Sequence, residues 1–229
     1  MGINTTMKEA KNGKGQLTQL DINDTFFFYT QFGDRKSPIY DERNLPKNKQ
    51  TRFEQSVQFL VSEEVADRLE EIAGKTSIKK FTSKAKLLEK MKVDDPSLIP
   101  DDKKYFVVKL VQKLQNRDGS DKDVRLLPRS FNLVDGKAKE ITYSEAVGNG
   151  SKGNIRVTVS SNPDYGTFLY PKMILVTDLV GYSTGEDLSD FLGDIEIETE
   201  DAPVRESSNP ISDIDDTPFE TEDENDEDY

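Results

Sequence analysis

The chain has 229 residues, with 31 Lys and Arg against 44 Asp and Glu and with neither His nor Cys. It therefore has no disulfide framework, no thiolate metal site, no cysteine nucleophile and none of the commonest general base. No apolar run approaches the ~20 residues that span a bilayer, and residues 1–6 lack the apolar core of a signal peptide, so the reading is a soluble cytoplasmic protein with no membrane partner.

The charge is divided along the chain. Residues 184–229 carry nineteen acids and one base, Arg205, and residues 1–183 carry thirty bases and twenty-five acids, so a body of net +5 is tied to a tail of net −18.

Residues 1–20 are polar, with Lys8, Lys11 and Lys14 among Gly13 and Gly15, and read as a flexible basic arm. Gly13-Lys14-Gly15-Gln16 does not complete a phosphate-binding loop. Met1-Gly2 followed by Thr6 matches the myristoylation pattern, as short motifs do by chance. Residues 25–32, Thr-Phe-Phe-Phe-Tyr-Thr-Gln-Phe, are a strand by composition. Alternation puts Phe26, Phe28 and Phe32 on one face and Phe27 and Tyr29 on the other, and either set can face the core. A loop follows, broken by Pro38 and Pro46, in which Tyr40 lies among Arg35, Lys36, Arg43, Lys47 and Lys49.

Residues 52–60 alternate as a half-buried strand beginning at Arg52. Ser62 is placed to cap a helix carrying Val65, Leu69 and Ile72 at i, i+4 and i+7, with Gly74 to stop it. Residues 83–92 form a second helix, with Leu87, Leu88 and Met91 on one side. Residues 104–115 are the clearest strand: Phe106, Val108 and Leu110 on one face, Tyr105, Val107, Lys109, Val111 and Lys113 on the other. Short strands are expected at 124–127 and 129–134, with a turn at Asp135-Gly136.

Gly148-Asn149-Gly150-Ser151-Lys152-Gly153 formally matches G-x-G-x-x-G, but the alternating residues 154–159 after it read as a strand, and a dinucleotide site needs a helix there. The glycines then mark close approach of backbone to a ligand or another strand. A turn at 162–166 and a last strand from Phe168, with a bulge or edge near Pro171, complete the body. These elements predict a mainly β protein: an OB-fold-like antiparallel β-barrel over residues 21–183, with a helical insertion and a disordered acidic tail over 184–229.

Catalysis finds little support. The paired acids Asp94-Asp95, Asp101-Asp102 and Asp215-Asp216 fall in loops or tail, and Asp178 is the one acid placed within a strand as a nuclease metal ligand would be. No enzyme activity, cofactor or metal is expected. Binding is better supported, because bases and aromatics recur together. Tyr105 goes with Lys109 and Lys113, Phe131 with Arg129, and Arg156 with Lys152. Tyr165 and Tyr170 accompany Lys172, and Tyr40 has its loop cations Arg35, Lys36 and Arg43, with Arg52 beyond. Single-stranded nucleic acid needs this mixture, cations for the phosphates and rings to stack on bases. The tail carries Asp213-Ile214-Asp215-Asp216-Thr217-Pro218-Phe219 and ends Glu227-Asp228-Tyr229. Closely spaced negative charge with a stackable ring imitates a short single strand, so the tail can occupy the body's own groove or dock on basic partners.

Body plus tail resembles the phage-encoded single-stranded DNA-binding proteins of replication, OB-fold proteins with an acidic, aromatic-ended C-terminus. Residues 148–151 leading into 154–159, the Tyr-containing turn and residues 175–182 carry that resemblance, and residues 213–219 resemble the Asp-rich, Pro-Phe tip of bacterial single-strand-binding proteins. Phe219 lies ten residues before the end, so either Phe219 or Tyr229 is the docking tip. The resemblance implies non-enzymatic coating of single-stranded DNA in replication, recombination and repair in a host cytoplasm. It further implies tail-mediated recruitment of the replicative polymerase and the primase-helicase, and a tail-mediated homodimer. Two rival readings remain from the residues: an RNA-binding OB or cold-shock-like module, and an acidic DNA mimic that captures a basic protein.

Overall fold

The computed structural model describes residues 2–33, 36–74, 77–116, 118–141 and 147–181. The chain divides into two units, Met1–Tyr182 and Ser183–Tyr229. Arg35 and every tail residue singled out above (Asp215, Asp216, Phe219, Glu227, Asp228 and Tyr229) lie outside the described residues.

The sheet is organised around β2 (Leu17–Gln31), which pairs with three strands: β1 (Thr6–Lys11), β4 (Phe53–Val61) and β9 (Ser151–Asn162). One strand can serve all three because it bends. Asp24 takes φ 59, a left-handed conformation that Asp tolerates, and the register with β9 shifts between Ile22 and Thr25. Before the bend β2 lies between β1 and β9; after it, between β4 and β9. The segment expected to be a flexible arm is thus largely sheet, since residues 6–11 pair with residues 17–23. The Asn12–Gln16 turn between them is closed by the Asn12 side chain, which accepts from the Lys14 and Gln16 N–H groups.

A second irregularity decides the Phe run. The register with β4 shifts between Phe28 and Gln31, and Tyr29 has φ 45. Simple alternation would group Phe32 with Phe26 and Phe28. The slip instead sends Phe32 to the side of Phe27 and leaves Phe26 and Phe28 on the opposite side. The unusual Tyr29 backbone is held by its N–H donating to Asn149 Oδ1 at 2.8 Å and its hydroxyl donating to the Lys90 carbonyl at 2.9 Å.

The remaining strands are β3 (Ser37–Pro38), β5 (Ser77–Phe81), β6 (Tyr105–Lys113), β7 (Arg129–Val134), β8 (Lys137–Glu140) and β10 (Gly166–Asp178). They extend the sheet in the order β5-β6-β4-β2-β9-β10-β7-β8, with β3 on β4. This is an open sheet, where a closed barrel was expected: β10 pairs with β9 and β7, and among the described residues no pairing joins the β5–β6 end to the β7–β8 end. Nor is it wholly antiparallel, since β10 runs parallel to β7.

Two cores result. Inward residues of β2, β4, β6, β9 and β10 share one cluster with α1 (Glu63–Ala73), through Val65, Ala66 and Leu69. The other face of β2, β4 and β6 is covered by α2 (Lys84–Met91), through Leu87 and Met91. Gly74 stops α1 as expected, with positive φ at the C-cap, and α2 ends in the same way at Lys92, which takes φ 50. Ser62 precedes α1 but its side chain does not cap it; the hydroxyl meets Thr5 of the N-terminal segment. The strand expected at 124–127 is a 3₁₀ turn, Val124–Leu126. The Asp135-Gly136 turn is present, both residues having positive φ between β7 and β8.

Candidate nucleic-acid interface

The glycine-rich segment sets the geometry of the face that matters. A Cβ on Gly148 would strike the Val180 carbonyl oxygen at 2.6 Å, and one on Gly153 would run into the Leu175 carbonyl. These glycines let β9 lie tightly against another stretch of backbone, one of the two roles expected of them. A helix after them is absent; β9 follows directly.

Within β9, Ile155, Val157 and Val159 turn into the core, which leaves Lys152, Asn154, Arg156 and Thr158 on the outer face. Register places Leu175 opposite Asn154, Met173 opposite Arg156, Tyr170 opposite Thr158 and Phe168 opposite Ser160. The expected irregularity at Pro171 is a bulge. It matters because it resets the alternation: Met173, rather than Lys172, takes the outward place beside Arg156. On the far side of β10, Arg129 and Phe131 of β7 stand opposite Met173 and Leu175. One continuous sheet face therefore carries Phe168, Tyr170 and Phe131 with Arg156, Arg129 and Lys152. Phe168 is 42% exposed. Its ring stacks on that of Tyr170 at 6.4 Å between centroids, with the planes 22° apart. Tyr165 is 70% exposed at the tip of the β9–β10 hairpin, where Asn162 Oδ1 accepts its N–H.

The cations of this face are already engaged. Arg156 donates from Nε and Nη2 to the two carboxylate oxygens of Asp21 at 2.8 and 3.0 Å. Arg129 donates likewise to Glu140 at 2.8 and 2.5 Å, with its guanidinium 5.1 Å from the Phe131 ring centroid. These bonds hold both arginines above their ordinary pKa, and Arg129 holds the Glu140 carboxyl below the usual range. Lys152 Nζ lies 3.4 Å from Asp24. Lys172 is spent differently, donating to the Arg125 carbonyl at 2.6 Å.

The loop and β6 residues form a second patch. Lys36 Nζ lies 4.3 Å from the Phe53 ring centroid, and Arg43 sits over exposed Tyr40 at 5.8 Å. Arg43 is also bound to Glu54 at 3.1 Å, and Arg52 to Glu42 at 2.6 Å. Glu42 additionally accepts the N–H groups of Thr51 and Arg52. The Arg52 bonds lead these interactions, which together lower its carboxyl pKa to about 2. Lys113 of β6 stands opposite Glu54, and Lys109 is half-buried opposite Gln58. Lys122 is lowered from its ordinary pKa, first by burial and then by Lys113.

Tyr105 belongs to neither patch. Expected to face outward, it is 0% exposed. Its hydroxyl accepts the Asp102 N–H at 2.8 Å and donates to the Pro100 carbonyl. The reason is that β6 is buried on both faces, between the main core and α2. Phe168, Met173 and Leu175 are the residues that sequence reasoning missed. Phe168 was legible as the period-2 partner of Tyr170, whereas Met173 needed the bulge to be located.

No family model matches the chain, and no curated protein does. Among solved structures it is similar to the crystal structure of gp2.5, a single-stranded DNA binding protein encoded by bacteriophage T7. The TM-score is 0.37 and the sequence identity 13%, over 88% of this chain and 100% of that one.

Proposed function

We propose that the body binds single-stranded DNA without reading its sequence, through the outer face of β9, β10 and β7. The observation that carries this is the gathering of three half-exposed or exposed rings, Phe168, Tyr170 and Phe131, with Arg129, Arg156 and Lys152 on one sheet face. Rings stack bases of any identity and the cations meet phosphates, so the pair of functions needs no base-edge contacts. The patch at Lys36, Tyr40, Arg43 and Lys113 extends the contact to a longer strand. The tail, net −18, competes for the same cations until DNA displaces it. It then docks on basic surfaces of replication proteins, the replicative polymerase and the primase-helicase among them. The protein acts by coating and recruiting in viral replication, recombination and repair, not by catalysis.

The test is fluorescence anisotropy of labelled oligo-dT, and of oligo-U of the same length, across a salt series. Binding of dT whose affinity falls with salt supports the reading. Preference for oligo-U would make the module an RNA binder. Absence of any binding at low salt would refute the interface and favour capture of a basic protein.

A further inference from the structure

Two carboxylates on the proposed face are where a competing anion would be. We infer that Asp21 and Glu140 act as place-holders for DNA phosphate: each occupies one arginine in the free protein and is displaced when a strand binds, so these acids set the affinity of the face. The inference rests on the reading of that face as the single-strand-binding surface.

Both pairs are fork-on-fork, two parallel N–H···O bonds from one guanidinium to one carboxylate. That is the geometry in which arginine also takes phosphate. Asp21 is fixed opposite Arg156 by the β2–β9 register, and Glu140 is carried past Arg129 by the β7–β8 hairpin. Each acid therefore holds its arginine extended across the sheet face.

The ion pairs of the second patch show the contrast. Glu42, 8% exposed, accepts two backbone N–H groups besides Arg52, and the Arg43–Glu54 side chains are 20% and 11% exposed. Those acids are built into the fold. Asp21 and Glu140 are 31% and 49% exposed. Their hydrogen-bond partners among the described residues are side chains alone: Arg156 and Gln19 for Asp21, Arg129 for Glu140. Both pairs reach solvent, the Asp21 pair in part and the Glu140 pair more fully, so a phosphate can replace the carboxylate by exchanging one two-oxygen fork for another. An acid left beside a bound phosphate also repels it.

The experiment compares the full chain with Asp21→Asn, Glu140→Gln and the double variant, using oligo-dT anisotropy over a salt series. Glu64→Gln, an exposed acid of α1, is the control for a general change in net charge. Thermal melts followed by circular dichroism confirm folding. Glu140 lies on the outermost strand, so its variant tests the idea even if Asp21→Asn weakens the β2–β9 contact. Each single variant is expected to bind dT tighter by about 1.5- to 5-fold. Its slope of log affinity against log salt should be steeper by up to about 0.7, as one more phosphate is neutralised. The control should match the parent. Folded variants that bind as the parent does, or more weakly, would overturn the place-holder role while leaving the binding face intact. So would a control that tightens equally. A parent chain that fails to bind dT would overturn the face and this inference together.

Discussion

Truncating Phe168 to Ala separates base stacking from charge. The ring is 42% exposed and, among the described residues, stacks on Tyr170 at 6.4 Å, so its removal costs the fold little, roughly 0.5–1 kcal/mol. If it stacks a base, each stack contributes about 1–3 kcal/mol. At 1.36 kcal/mol per decade that is a loss of roughly 5- to 150-fold in dT affinity. Tyr170→Ala should fall in the same range, and the double variant should lose less than the sum, because the two rings stack on each other. No charge is altered, so the salt slope should stay at the parent value while the line shifts down in parallel. Anisotropy at four or more salt concentrations, with a thermal melt of each variant, reads both quantities. A folded Phe168→Ala protein with parent affinity would refute stacking at this position. A changed slope would show that the ring acts by placing a cation.

Three further outcomes follow from the fold. Tyr105→Leu should lower stability by about 2–4 kcal/mol, through lost packing and the freed Asp102 N–H, yet leave the affinity of the folded protein unchanged; a reduced affinity in folded protein would return Tyr105 to the interface. Gly153→Ala should destabilise by about 1–3 kcal/mol or more, as the new methyl forces β9 from β10 at the Leu175 carbonyl; a denaturant midpoint equal to the parent's would show that the strands separate freely. Glu42 has its carboxyl lowered to about 2 in the folded chain, chiefly by Arg52 and the backbone N–H groups of Arg52 and Thr51. Its contribution is therefore present above the unfolded carboxyl range and lost as pH falls toward 2. The gap in melting temperature between parent and Glu42→Gln should narrow from pH 5 downward, and a gap independent of pH would contradict the assignment.

Sequence alone determined the elements whose signals are local. Alternation at Ile155, Val157 and Val159 reports a strand whatever lies beyond it. Gly74 and Asp135-Gly136 mark their stops and turns because they adopt positive φ at little cost. The division of charge at residue 184, and with it the expectation of an anion-binding body, is likewise a property of composition. The groupings expected from sequence that share one sheet face, Arg129 with Phe131 and Arg156 with Lys152, are those whose members lie close together on a single strand.

The tertiary structure decided what depends on partners distant in sequence. Whether Tyr105 faces water or a helix depends on where α2 packs, and period-2 alternation cannot distinguish a half-buried strand from one buried on both faces. The side of the sheet on which Phe32 and Met173 lie was set by bulges at residues 28–31 and 171–173, since one extra residue reverses all that follows. Whether the sheet closes was decided by β10 choosing β7, a pairing between segments some forty residues apart. The same long-range register brought Asp21 to Arg156, 135 positions away, and so put a carboxylate where the sequence showed only a cation.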